Sequence, residues 1–398
     1  MQIKKLNGSR LALLFAFTYM ISYMTRINFG TIVSEMERST GISRELLSMS
    51  LTGSFITYGT GQIISGICGD RFSPKKLISL GLTVTVAMNL LIPLCGSPYA
   101  MLAVWCVNGF AQAFMWPPIL RLMVALLSAQ EYSGAAVKVS WGSSLGTVAM
   151  YLVSPLLISL FGWRSVFLFS AAMGVVGLLV WNRFAYEPES FAVSGKSKPS
   201  AKGLLTPMML GIMAAIVLQG MLRDGVTTWM PTYIGETFRL SSIVSILTGV
   251  ILPVFSILCT KGTSWLYDRY FENPMLCAGV IFSGGALSAL ALYTLSDSSA
   301  VLSALLAAVL TGCMHGVNFM LVSILPKFFQ RFGNISTASG VLNSCTYVGS
   351  AASTYGIAIL SENIGWQDTI GVWFLIGLAG TVLCLISVKP WARTHSGK

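Results

Sequence analysis

The sequence predicts an all-α membrane protein with twelve transmembrane helices in two six-helix pseudo-repeat bundles around a central cavity. Three observations predict it. Of 398 residues, 54% are hydrophobic and only 10% are charged, with a mean hydropathy of +0.74, whereas a soluble domain carries about 25% charged residues. The apolar residues form blocks long enough for the roughly 20 residues that a spanning helix needs. One polar linker, 186–204, divides the blocks into two sets of six.

At the N-terminus, Lys4, Lys5 and Arg10 precede an apolar run that continues to about Val33. It has no small-residue cleavage site after a short core, so it reads as span one, 11–33, and not as a signal peptide. Spans two to six are 46–68, 77–95, 99–127, 134–160 and 164–185. After the linker, rich in Ser, Gly, Pro and Lys, come 205–235, 241–267, 274–295, 299–329, 334–362 and 366–389. The expected organisation is an N-terminal bundle, 1–185, a cytoplasmic linker, 186–204, and a C-terminal bundle, 205–398. The halves also read as repeats. Arg26 precedes Asp70-Arg71 by 44 residues, Arg223 precedes Asp268-Arg269 by 45, and Gly162-Trp163 recurs as Gly365-Trp366. Parallel repeats are one recurring plan of secondary transporters, with the site between the halves.

Charge fixes the expected orientation. With both termini inside, the inward segments hold 17 of the 25 Lys and Arg, and the outward loops hold 4, namely Arg38, Arg44, Arg164 and Arg239. This positive-inside excess predicts a multi-pass protein of the cell (inner) membrane with cytoplasmic ends. The net charge of +11 is then a charge facing anionic headgroups, and no nucleic-acid partner is needed to explain it. The eight cysteines all fall in apolar segments without a CxxC pair, so packing explains them better than disulfides or metal. The absence of Walker, GxSxG and HExxH motifs argues against ATP-driven or hydrolytic chemistry. No enzyme, no cofactor and no metal are expected.

Arg26 and Arg223 carry the chemistry. Each sits in an otherwise apolar helix, in equivalent helices of the two repeats. An arginine at bilayer depth costs about 2.5–3.5 kcal/mol on insertion scales, and its planar fork matches carboxylate, sulfonate or phosphate oxygens. Two such forks facing one cavity would clamp a small anion. Structural arginines bonded to helix carbonyls, or snorkelling outward, are the alternative. Tyr19, Tyr23, Arg26 and Gly30 share one helix face by their 4-3-4 spacing. His315 lies near the middle of span ten, as a hydrogen-bonded core residue or a titratable member of the site. Asp224 directly follows Arg223, about 100° round the helix. That separation predicts that it cannot simply neutralise its neighbour and instead pairs with another helix or takes up a proton. Lys138 is expected to snorkel. Asp70, Arg71, Arg121, Asp268 and Arg269 lie near cytoplasmic helix ends, where a gating network is expected.

These residues resemble the major facilitator superfamily and, within it, the organophosphate:phosphate antiporters. Gly66-Ile-Cys-Gly-Asp70-Arg71 with Pro74-Lys75-Lys76 is similar to the superfamily's loop between spans two and three. Tyr23-Met-Thr-Arg26-Ile-Asn28-Phe29 resembles the narrower family's YxxRxNF. Leu222-Arg223-Asp224-Gly225 through Trp229, Pro231, Thr232 and Tyr233 resembles its LRxGxxxWxPTY, and Trp116-Pro117-Pro118 with Arg121 its WPPxxR. The resemblance implies the twelve-helix fold, a monomer, and phosphate binding by Arg26 and Arg223. It places Tyr58, Tyr347 and His315 at cavity positions. This chain departs from it at two cationic positions, with Gln62 where members carry a span-two lysine and Ser143 where one carries a span-five histidine.

The expected function is a secondary active transporter of a small organic anion, working by alternating access in the lipid bilayer. An empty site with two permanent positive charges resists closing, which favours exchange, for example organic phosphate against inorganic phosphate. Proton-coupled symport of a carboxylate, sulfonate or sugar acid is the alternative, with Asp224 or His315 carrying the proton. A transporter-like receptor for a phosphate ester is a third reading.

Overall fold

The computed structural model describes residues 7–188, 206–240, 248–295, 299–332 and 335–395. Lys4, Lys5, Lys196, Lys198, Lys202 and Lys398, most of the expected linker and the first residues of the expected span eight lie outside them. The chain packs as two compact units, Met1–Ser200 with Lys327–Ser344, and Ala201–Pro326 with Cys345–Lys398.

In the first unit the order is α1 (Gly8–Thr31), α2 (Val33–Thr40), α3 (Arg44–Arg71), α4 (Pro74–Leu91), α5 (Pro98–Gln112), α6 (Trp116–Leu126), α7 (Ala129–Phe161) and α8 (Arg164–Phe184). Their starts are written in the sequence. Asn7, Ser43, Ser73, Ser97 and Ser128 each accept a backbone N–H of the following turn, satisfying donors that have no partner within the helix. Pro74 and Pro98 occupy first-turn positions that need no donor. Span four, expected as one helix, is broken between Gln112 and Trp116, where Pro117 and Pro118 begin a new helix. Their missing donors suit a first turn but not a helix interior. Within this unit α1 packs along α7, α3 along α5, and α4 along α8. Gly142 and Gly146 of α7 abut the backbone of Ala16 and Met20. Small residues four apart allow that approach, and in lipid such packing substitutes for hydrophobic driving force.

In the second unit α9 (Pro207–Phe238), α10 (Ile251–Tyr270), α11 (Pro274–Leu295) and α12 (Ala300–Asn318) are followed by a π-helical turn, Phe319–Ile324. α10, α11 and α9 all pack on α12. The last helical stretch, α13 (Ile335–His395), is two helices meeting at Gly365. Gly365 has φ 80°, ψ 171° and Gly162 has φ 76°, ψ 172°, a backbone region essentially restricted to glycine. The Gly-Trp pair that marked the repeat in the sequence thus marks the same turn in both halves.

Among the described residues, eight helical segments are long and apolar enough to cross a membrane. Expected spans one, two, eight and eleven form helices too in the residues described, but are not among those eight. They carry Arg26 and Asn28, Gln62 and Ser65, Thr260 and Thr263, and Asn343 and Ser350, all buried.

Candidate functional site

Arg26 of α1 is 9% exposed. Its guanidinium lies over two aromatic rings, 4.2 Å from the centroid of Tyr23 and 4.5 Å from that of Tyr58. Tyr23 in turn meets Tyr19 edge-on at 5.1 Å, and Tyr19 packs on Trp116 at 5.2 Å. Cation–π contact holds a guanidinium without consuming its N–H donors. Beneath Arg26 runs a buried amide network. Gln112 donates to Thr25 Oγ1 (2.8 Å), Asn108 and Asn89 donate to the Thr25 carbonyl (3.2 and 3.1 Å), and Asn28 donates to Asn89 (2.7 Å). Buried networks of this kind rigidify what they hold, and here they fix the turn of α1 that presents Arg26.

Arg223 of α9 is 8% exposed and meets Asp224 directly. Its Nε donates to Asp224 Oδ1 and its Nη2 to Oδ2, both at 2.7 Å. This corrects the expectation that 100° of helix keeps the two apart. The angle separates Cβ directions, but the guanidinium sits at the end of a long flexible stem that turns back across it. Ser350 Oγ also donates to Asp224 Oδ2, and Tyr347, one turn earlier on α13, has its ring 6.0 Å from the Arg223 guanidinium. His315 lies within electrostatic reach of both Arg223 and Asp224. Arg223, Asp224, Ser350, Tyr347 and His315 therefore form one cluster in the second unit. Ser350 was not anticipated; its signal was its place three residues after Tyr347, on the same helix face.

The remaining expected residues are placed differently. Gln62 is fully buried, its amide donating to the Ala113 carbonyl (3.3 Å) and accepting from Asn343 (3.0 Å). Ser143 donates to the Ser140 carbonyl of its own helix (2.6 Å), and Lys138 lies 3.5 Å from Ser9 Oγ. Of the expected gating residues, Asp70 and Arg121 are buried, whereas Arg71, Asp268 and Arg269 are exposed. Asp70 accepts the backbone N–H groups of Ser336 (3.0 Å) and Thr337 (2.7 Å) at the start of α13, within the first unit. Burial pushes its carboxyl above the usual range, opposed by those bonds and by Arg121. Arg121 donates to the Gly69 and Phe72 carbonyls at the end of α3. An anion at a helix start and a cation at a helix end both complement the macrodipole. Glu187, which no motif singled out, accepts from Ser73 Oγ (2.8 Å) and the Lys75 N–H (2.5 Å) and so caps α4.

Comparison with known proteins shows the family and the fold. The Arabidopsis thaliana chloroplastic ascorbate transporter is 24% identical, over 92% of this chain and 72% of its own length. The Bacillus subtilis glycerol-3-phosphate transporter is 24% identical, over 92% and 87%. The membrane sensor protein UhpC of Salmonella typhimurium is 22% identical, over 92% and 88%. The solved structure of the proton:xylose symporter XylE superposes with a TM-score of 0.78 at 12% identity, covering 96% of this chain and 95% of that one, and shows the same fold. The model of the Major Facilitator Superfamily matches residues 15–354, so this chain is a transporter of the Major Facilitator Superfamily and not an enzyme.

Proposed function

We propose that the protein is a secondary active carrier of a small organic anion, working by alternating access, with Arg26 and Arg223 as the residues that bind the anion. The observation that carries this reading is the pair itself. Two arginines stand 197 residues apart in the repeat, each about nine-tenths buried on a spanning helix among tyrosines. A phosphate ester is the first candidate substrate, supported by the glycerol-3-phosphate transporter among the relatives. A singly charged organic acid without phosphate is supported by the ascorbate transporter. The proposed setting is the inner membrane, with both termini cytoplasmic, the bundles 1–185 and 205–398 joined by 186–204, and a monomer as the working unit.

Coupling has two readings. Exchange of organic for inorganic phosphate is the reading in which two permanent arginine charges block closure of an empty site. The Arg223–Asp224 ion pair removes one of those charges and favours the second reading, proton-coupled symport with Asp224 or His315 carrying the proton. Purified protein in liposomes separates them. Symport predicts uptake into vesicles without internal anion, driven by an inward proton gradient; exchange predicts uptake only with an internal counter-anion. Binding without uptake under either condition would instead indicate a receptor, as the name of the UhpC relative suggests for that protein.

A further inference from the structure

Cys259 of α10 and Cys313 of α12 meet where the two helices pack. Both are free, half-buried thiols, and the Cys313 S–H donates to the Cys259 sulfur. The helices come close there because α12 presents two glycines four residues apart, Gly312 and Gly316. A Cβ on Gly312 would stand 2.6 Å from Cys259 Sγ, 3.3 Å from Cys259 Cβ and 3.2 Å from the Phe255 carbonyl oxygen, and one on Gly316 would run into Thr263 Oγ1. Small residues at that spacing let two backbones approach within a membrane. Cys259 Sγ thus rests on the residue that precedes Cys313. Cys313 Sγ lies between it and α11, 3.6 Å from where a Cβ on Gly284 would stand.

We propose that Cys259 and Cys313 are an oxidisable dithiol, which hydrogen peroxide closes into a disulfide that joins α10 to α12. A cysteine that only fills space behaves as a small hydrophobe. Two sulfurs turned toward each other from different helices are also placed to react. A disulfide needs Cβ atoms about 3.5–4.5 Å apart, a separation that the glycine-thinned contact brings within reach of a side-chain rotation. The chemistry balances in two steps. One sulfur attacks a peroxide oxygen and the O–O bond breaks. That sulfur becomes a sulfenic acid, while its proton leaves with the other oxygen as water. The second sulfur then displaces the sulfenic hydroxyl, the S–S bond forms, and the second thiol proton leaves with that hydroxyl as another water. Two thiols have given two electrons to one peroxide. The cross-link pins α12 two residues before His315, and so restrains the helix that brings this residue to the Arg223 cluster.

The test treats the purified full-length protein with hydrogen peroxide, blocks the remaining thiols with N-ethylmaleimide, and only then denatures and digests it. Mass spectrometry should find one linked peptide pair containing Cys259 and Cys313, two fewer alkylated thiols per chain, and the loss of both changes after treatment with a phosphine reductant. Cys259→Ser and Cys313→Ser should each abolish the linkage, whereas Cys95→Ser should leave it intact. No 259–313 linkage in the peroxide-treated protein, linkages spread among all eight cysteines, or oxidation of either sulfur to sulfinic acid without a cross-link would overturn the proposal. The wild-type map needs no variant, so a variant that fails to fold does not shelter it.

Discussion

Asp70→Ala is the most direct test of the polar geometry at the end of α3. In the native protein the two oxygens of Asp70 accept the N–H groups of Ser336 and Thr337 at 3.0 and 2.7 Å. These belong to the first turn of α13, where helix donors have no partner within the helix. Hydrogen bonds to a charged group contribute about 1.5–3 kcal/mol each, and the helix-start electrostatics a further 0.3–1 kcal/mol or so. Burial of the carboxylate, which pushes its pKa up, offsets part of this. A net loss of about 2–3 kcal/mol remains, enough to raise the local opening equilibrium of those two amides by roughly 30- to 150-fold. Hydrogen exchange resolved to the peptide 335–344 measures that directly, with 74–91 of α4 as the internal reference. Asp70→Asn, which keeps one acceptor oxygen, should fall between the wild type and Asp70→Ala. Unchanged exchange at Ser336 and Thr337 in Asp70→Ala would refute the assignment of those bonds.

Other perturbations follow from the same contacts. Arg26→Lys removes the planar fork and weakens two cation–π contacts of about 0.5–2 kcal/mol each; calorimetry with any bound anion should show affinity lower by at least about tenfold. Gly162→Ala and Gly365→Ala, at φ 76° and 80°, should each lower stability by about 1–3 kcal/mol in thermal unfolding, while alanine at Gly134, where a Cβ meets nothing, should not lower it comparably. Glu187→Ala removes the acceptor at the start of α4 and should loosen its first turn by about 1–2 kcal/mol, seen as faster exchange of the Lys75 and Lys76 amides with the rest of α4 unaffected.

How much was legible in the sequence depends on the physical contrast behind each feature. Helices in lipid must satisfy their own backbone, and apolar blocks of the right length have few other uses; hence α4, α8 and α11 lie within a few residues of their expected ends. The repeat was legible because rare residues mark it: an arginine in an apolar helix, and glycine where only glycine fits. The break between α5 and α6 was hidden inside one apolar run, although Pro117-Pro118 carried the signal. Side-chain reach was the least legible. Helical angles order Cβ directions, and they say little about an arginine stem that folds back onto the next residue, as Arg223 does onto Asp224. Contacts distant in sequence left no local mark at all. The Gln62–Asn343 and Asp70–Thr337 bonds join residues 281 and 267 positions apart, and nothing in the composition of either segment identifies its partner.

The two repeat-matched arginines have diverged in how their charge is managed. Arg26 is faced by the rings of Tyr23 and Tyr58, whose quadrupoles attract a cation but carry no net charge. Arg223 is faced by a carboxylate, so its half of the pair is close to neutral at any distance beyond the ion pair itself.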